Sequence, residues 1–357
     1  MTNALLVPAF ALAYQRLRRV VLLRLVFLSL FAAQAGTASA AESPASTKAG
    51  QQLQARAKVM VQRAADSASR LDFSGTYVHQ HAKGLYSAKV MRGLSPEGRA
   101  TVIDALDGPA RRTVRLSSEV RAYLPDQKQV RIYPGASVRL DFPHPPVYDF
   151  ARVTEHYQIR LATGKRIAGR MTDRIEFVPR NQSRWGVHCW FDQASGLMLK
   201  TQTLDANGAV LEEHSFSDLN LGSSPQPSGL GLEAPFKDVG SWQRVTAPIH
   251  REPMPQVLKD YAGSLGFLPL AAAKVKEPSS SLPHTQWLFT DGIALVSVFF
   301  IHDPKLNGQA NSTESSDLKG ATAMIIGSKS GYHLTALGEV PIDTAKSLLV
   351  TLPLPQQ

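Results

Sequence analysis

Across residues 181–219, apolar and polar positions alternate in three short runs separated by turn residues. Trp185, Val187, Cys189 and Phe191 alternate with Gly186, His188 and Trp190, the period-two pattern of a strand with one buried face. Asp192, Gln193, Ala194, Ser195 and Gly196 supply a turn, after which Leu197 and Leu199 oppose Met198 and Lys200. Asn207-Gly208 is a second turn signal, because that dipeptide takes positive φ readily, and 210–216 resumes an extended run. The stretch predicts a three-stranded antiparallel meander.

The flanking chain extends this picture. Leu53, Ala57, Met60, Ala64 and Ala68 form one apolar stripe at three- and four-residue spacings, so 51–70 predicts a helix that covers something. Short extended runs are expected at 71–81, 85–91, 101–106, 111–116, 120–124, 130–133, 152–161 and 173–179, joined by turns such as Lys83-Gly84 and Pro125-Asp126. Three prolines in 142–147 lack an N–H donor, which excludes a central strand and predicts a surface loop or flap. The Gly, Ser and Pro density of 222–235 reads as an interdomain linker. Beyond it, 254–265 and 342–349 predict helices, 274–283 a loop, and 287–301 and 321–337 strand pairs turning at Asp291-Gly292 and Ser330-Gly331.

The N-terminus departs from the rest. Arg16, Arg18 and Arg19 precede an apolar run and then the small residues Ala38, Ser39 and Ala40, the layout of a secretory signal cleaved after Ala40. Arg24 interrupts the run, leaving it too short to span about 30 Å of hydrocarbon. Removing residues 1–40 takes four arginines and lowers the net charge from +10 to +6, with 25 basic against 18 acidic residues in 41–222 and 10 against 11 thereafter. A basic first domain outside the cytoplasm suits an anionic glycolipid, a membrane surface or an acidic peptide rather than nucleic acid; a merely well-solvated face fits as well. No cysteine stands at the cleavage site to carry a lipid, and Cys189 is alone, so no intramolecular disulfide is expected and a core thiol is the simplest reading.

Catalytic chemistry finds little support. His79 and His81 fall on one strand face, but neighbouring sequence offers no third or fourth ligand, so no metal and no cofactor is expected. Residues 262–266 imitate a nucleophile elbow, yet a helix rather than a strand precedes the serine. An enzyme is therefore the weaker reading. Phe73, Tyr77, Trp185, Trp190 and Phe191 either fill a core or line a cleft.

The motifs RWGVHCWFD and SGLMLKTQTLDANGAVLEE resemble, in order and separation, the RseB/MucB family of periplasmic sigma-E regulators. LDFSGTYVHQH, LDGPARRTVRLSSEVRAYLPDQKQV, QWLFTDGIALVSVFF and GYHLTALGEVPIDTAKSLL resemble further segments of that family, with 305–319 the weakest. The resemblance implies an α+β, mainly antiparallel fold: a signal peptide at 1–40, a half-open barrel domain similar to the lipoprotein carriers LolA and LolB at 41–221, a linker at 222–236, and a smaller mixed α/β domain at 237–357. It implies an apolar cleft lined by Phe73, Tyr77, Trp185, Phe191, Leu197 and Leu199, with Arg180 and Arg184 meeting the anionic head of a lipid or lipopolysaccharide. The implied role is non-enzymatic: binding the periplasmic segment of a transmembrane anti-sigma factor (RseA- or MucA-like) and shielding it from regulated proteolysis. A lipid or lipoprotein carrier is the alternative, and a homo-oligomer is left open.

Overall fold

The computed structural model describes residues 48–134, 142–222, 231–232, 236–246, 249–275 and 284–354. The expected signal peptide and most of the expected linker lie outside them. Helix α1 (Lys48–Arg70) is followed by β1 (Phe73–His81), β2 (Gly84–Ser95), β3 (Gly98–Ala105), β4 (Arg112–Arg115), β5 (Glu119–Leu124) and β6 (Gln129–Pro134). Then come α2 (Phe150–His156), β7 (Tyr157–Ile167), β8 (Arg170–Pro179), β9 (Gly186–Asp192), β10 (Met198–Leu204), β11 (Val210–Leu221) and β12 (Gln243–Thr246). These strands form one twelve-stranded sheet in the order β12-β6-β5-β4-β3-β2-β1-β11-β10-β9-β8-β7. Every pairing in it is antiparallel except β12 with β6. The sheet curls enough to bring β11 near β7, with three strands between them, without closing.

The expected meander is β9, β10 and β11. Helix α1 lies on the sheet because its inward positions are mostly alanine: Ala57, Val61, Ala64 and Ala68 are buried, and small side chains let the helix approach closely. Arg63 and Ser67 then reach the β9–β10 turn, donating to the carbonyls of Gln193, Ala194 and Ser195. Gly196 sits under Arg63 at φ +81°, where a Cβ would lie 2.7 Å from the arginine chain, so both conformation and space require glycine.

Two expectations change in this domain. Residues 152–156 are helical rather than extended, because Asp149 accepts hydrogen bonds from the amides of Ala151 and Arg152 and caps α2. The proline loop beginning at Phe142 is a loop but not a surface one: Pro143 and Pro145 are buried, and Phe142 packs against the core.

The second sheet follows the order β13 (Ile249–Glu252), β14 (Leu268–Val275), β15 (His284–Thr290), β16 (Leu295–His302), β19 (Tyr332–Gly338), β18 (Thr322–Lys329), β17 (Ser312–Lys319), all antiparallel. Helix α3 (Gln256–Ser264) packs on β14 and α4 (Ile342–Thr351) on β18 and β19, enclosing a core that includes Trp287, Phe289, Val298, Ile325 and Leu348. Strand β12 lies beyond the expected linker yet belongs to the first sheet, and Leu232 and Val239 are buried with Val102, Val114 and Tyr123. By sheet membership the first unit therefore continues to Thr246, because the apolar side chains after the Pro-rich stretch find cover on β3 to β6.

Candidate functional site: a filled concave face and a polar domain junction

The residues expected to line a cleft fall in three places. Phe73, Tyr77, Leu197 and Leu199 share one buried cluster with Ile103, Trp190 and Phe216. Phe191 belongs to the adjoining cluster under α1, with Phe177, Cys189 and Met198. Phe142 touches both clusters; its ring centroid is 4.9 Å from that of Phe216 and 5.4 Å from that of Tyr77. The concave face is thus packed by the protein's own side chains. The alternation pattern reveals such a face, but not which loop fills it. Cys189 is fully buried and burial pushes its thiol up to about 12, which suits a core residue.

Trp185 is not in this cluster. It stands where the second domain meets the first, its Nε1 donating to the Ala321 carbonyl at 2.9 Å. Arg184, expected to meet a head group, is only 4% exposed and points into the same junction. Its Nε donates to Asp291 Oδ2 at 2.8 Å, another guanidinium nitrogen reaches the Gly266 carbonyl at 3.2 Å, and its plane lies over the Phe267 ring. Of the two arginines only Arg180 is exposed.

Asp291 is the centre of this junction. Fully buried, it accepts from Arg184 and from the Tyr157 hydroxyl at 3.0 Å through Oδ2, while Oδ1 accepts the amides of Ile293 and Ala294. All four lone-pair directions are used, which is what a buried carboxylate requires. Burial, with the Asp291 carboxylate beside it, holds the Tyr157 phenol well above its ordinary range, so it stays a donor. The same turn is pinned through its backbone: the amide of Tyr148 donates to the Gly292 carbonyl at 2.8 Å. A Cβ at Gly292, φ +104°, would lie 2.7 Å from the Asp149 carbonyl oxygen. Ile293 then inserts its side chain into the α1 cluster of the first domain. The Asp291-Gly292 turn was legible in the sequence; its use as a docking plug was not, since nothing local pairs Asp291 with Arg184.

With this geometry in view, comparison with known proteins decides the family. Residues 56–240 match the family model of the MucB/RseB N-terminal domain, and 263–352 that of the MucB/RseB C-terminal domain. The chain belongs to the MucB/RseB family. It is 26% identical over 305 residues to the sigma factor AlgU regulatory protein MucB of Pseudomonas aeruginosa, covering 81% of this chain and 88% of that one. To the sigma-E factor regulatory protein RseB of Escherichia coli K12 it is 22% identical over 283 residues, 78% of this chain and 84% of the relative. Among solved structures, MucB in complex with MucA(peri) superposes with a TM-score of 0.57 at 24% identity, covering 81% of this chain and 96% of that one. The MucB/RseB fold is therefore carried by both halves of the chain, in the same order. The Asp291 turn falls within the C-terminal match and Arg184 within the N-terminal one.

Proposed function

We propose that this protein is a periplasmic negative regulator of a sigma-E-type envelope stress response. It binds the periplasmic segment of a membrane-spanning anti-sigma factor and shields that segment from regulated proteolysis. The observation that carries the reading is the presence of both MucB/RseB domains in one chain, in order, over most of its length. Curated relatives named as sigma-factor regulators support it, as does a related fold solved with MucA(peri). The signal-like N-terminus supports export.

In this reading the first domain also senses lipid or lipopolysaccharide through the concave face. Burying a ten-carbon stretch is worth roughly 8 kcal/mol gross, against an association cost on the order of 4 to 15 kcal/mol. Chain burial alone is marginal, and expelling Phe142 from its cluster adds to the cost, so charge contacts must contribute. Arg180 is the exposed cation of the expected pair; Arg184 is committed to Asp291. A ligand that displaces Phe142 works against the cluster under α1 into which Ile293 is also packed, which gives lipid and peptide a physical route to oppose each other.

The test is affinity capture from solubilised cell envelope with the full-length protein. Recovery of a membrane-spanning anti-sigma factor is expected. Its absence, with lipoproteins recovered instead, overturns the regulator in favour of a lipoprotein carrier.

A further inference from the structure

One side-chain cluster has no part in peptide or lipid binding as described. Strands β1 and β11 pair so that His79 faces His214 and His81 faces Glu212, which puts all four on one face of the sheet, next to Tyr77 and Phe216. His79 Nε2 is 2.6 Å from Glu212 Oε1. The His79 and His214 rings stack with centroids 4.1 Å apart. The ligand atoms of His79, Glu212 and His214 all lie within 4.8 Å of one another. Read along the sequence, His79 and His81 lack further donors; strand pairing supplies them from the far end of the domain.

We propose that His79, Glu212 and His214 form a binding site for one divalent transition-metal ion of the zinc class, at the junction of the two domains. Two imidazoles and one carboxylate are the donor set that such ions take, with a further position left for water. Glu212 is buried and the two histidines are half-buried, the side chains of His79 and Glu212 being 13% and 6% exposed. His81 is a neighbour rather than a ligand: its Nδ1 accepts the Lys83 amide, which puts its proton on Nε2.

The carboxylate is oriented from outside. Glu212 Oε2 accepts the amide of Ala321 at 3.1 Å, from the hairpin turn between β17 and β18, leaving Oε1 aimed at His79. The adjacent Gly320 packs so closely that a Cβ there would lie 2.9 Å from Glu212 Oε2 and 3.0 Å from the His81 Cβ. Support of this kind fixes metal ligands in orientation and raises affinity. An ion about 2.0 to 2.1 Å from each donor needs donor separations of about 3.3 Å. Binding therefore opens the His79–Glu212 contact by less than about 1 Å and draws donors as far as 4.8 Å apart together by up to about 1.5 Å, the ion displacing the hydrogen between His79 and Glu212 to solvent. Because Glu212 is held by the second domain, an ion at this site also fastens the hairpin to the first.

The experiment is titration of the untagged full-length protein, purified from the cell envelope and stripped with chelator. Zn²⁺ is added in competition with a chromophoric chelator, and Co²⁺ is added in parallel to read ligand-field absorption. One equivalent per chain is expected, with Co²⁺ bands of four- or five-coordinate intensity. Affinity should fall at least tenfold in His214→Ala and in Glu212→Gln and stay unchanged in the exposed His250→Ala. Glu212→Gln keeps an acceptor for the Ala321 amide, so a fold preserved by denaturation midpoint with binding lost separates ligation from packing. Less than one equivalent in the wild type, or equal affinity in Glu212→Gln, overturns the site.

Discussion

Truncating Asp291 to alanine removes the carboxylate that joins the two domains, and the cost follows from what it leaves behind. Arg184 stays 4% exposed with its charge uncompensated, and breaking a buried pair in this way costs about 3–5 kcal/mol. The amides of Ile293 and Ala294 and the Tyr157 hydroxyl lose their acceptor as well, at about 1–3 kcal/mol for each group that water does not reach. Relaxation of the turn recovers part of this, so a net loss of at least about 3 kcal/mol is expected. The assay is urea denaturation, combined with hydrogen exchange at the amides of residues 292–294 to show whether the junction opens before either domain unfolds. Arg184→Met in the same chain removes the stranded charge, so Arg184→Met/Asp291→Ala should be more stable than Asp291→Ala alone. A coupling of about 2–3 kcal/mol, the upper part of the range usual for contacting residues, is expected. If Asp291→Ala costs less than about 1 kcal/mol, or Arg184→Met recovers nothing, the junction does not rest on this pair.

The remaining predictions touch the core, the concave face and pH. Ala64→Leu, on the face of α1 that approaches the sheet, should cost about 1–3 kcal/mol by overpacking in thermal denaturation; a neutral result would mean that the helix does not pack as described. Phe142→Ala should lower stability while tightening binding of a fluorescent acyl-chain probe, because it vacates the space between two clusters; weaker probe binding would place the lipid elsewhere. Burial depresses His214, His81, His156 and His284 below the ordinary imidazole value. The unfolded chain therefore takes up protons below about pH 6.5 that the folded chain refuses. Stability should be fully present above that pH and fall as pH drops below it, as read by urea midpoints. A flat profile between pH 7 and 5 would contradict the burial of these rings.

Much of the fold was legible because the relevant signals are local. The alternation through Trp185 and Phe191, the turn at Gly196 and the alanine-rich stripe of α1 each report an element and its buried face within a few residues. Helix α2 is only two turns long and β7 follows it at once, so too few residues carry a helical period to set 152–156 apart from the extended run. The sites were less legible because they are made by pairing across distance. Arg184 looks like a surface cation until Asp291 is brought against it from the other domain. His79 and His81 lack donors until β11 delivers Glu212 and His214. Phe142 sits among prolines that argue for a surface loop, and only the curl of the sheet gives its half-buried ring two clusters to pack against. Likewise β12 reads as the start of a second domain, since nothing in its four residues announces a parallel partner in β6.

In the proposed role the two domains together hold and shield the periplasmic segment of an anti-sigma factor. The decisive measurement reconstitutes proteolysis of that segment by its site-specific envelope protease, with the full-length protein titrated in. Cleavage should slow in a saturable way. Acylated glycolipid should restore it and deacylated glycolipid should not, with protection weakened in Asp291→Ala under conditions where the protein remains folded. Cleavage at an unchanged rate with saturating protein, and no complex detected alongside, would contradict the account.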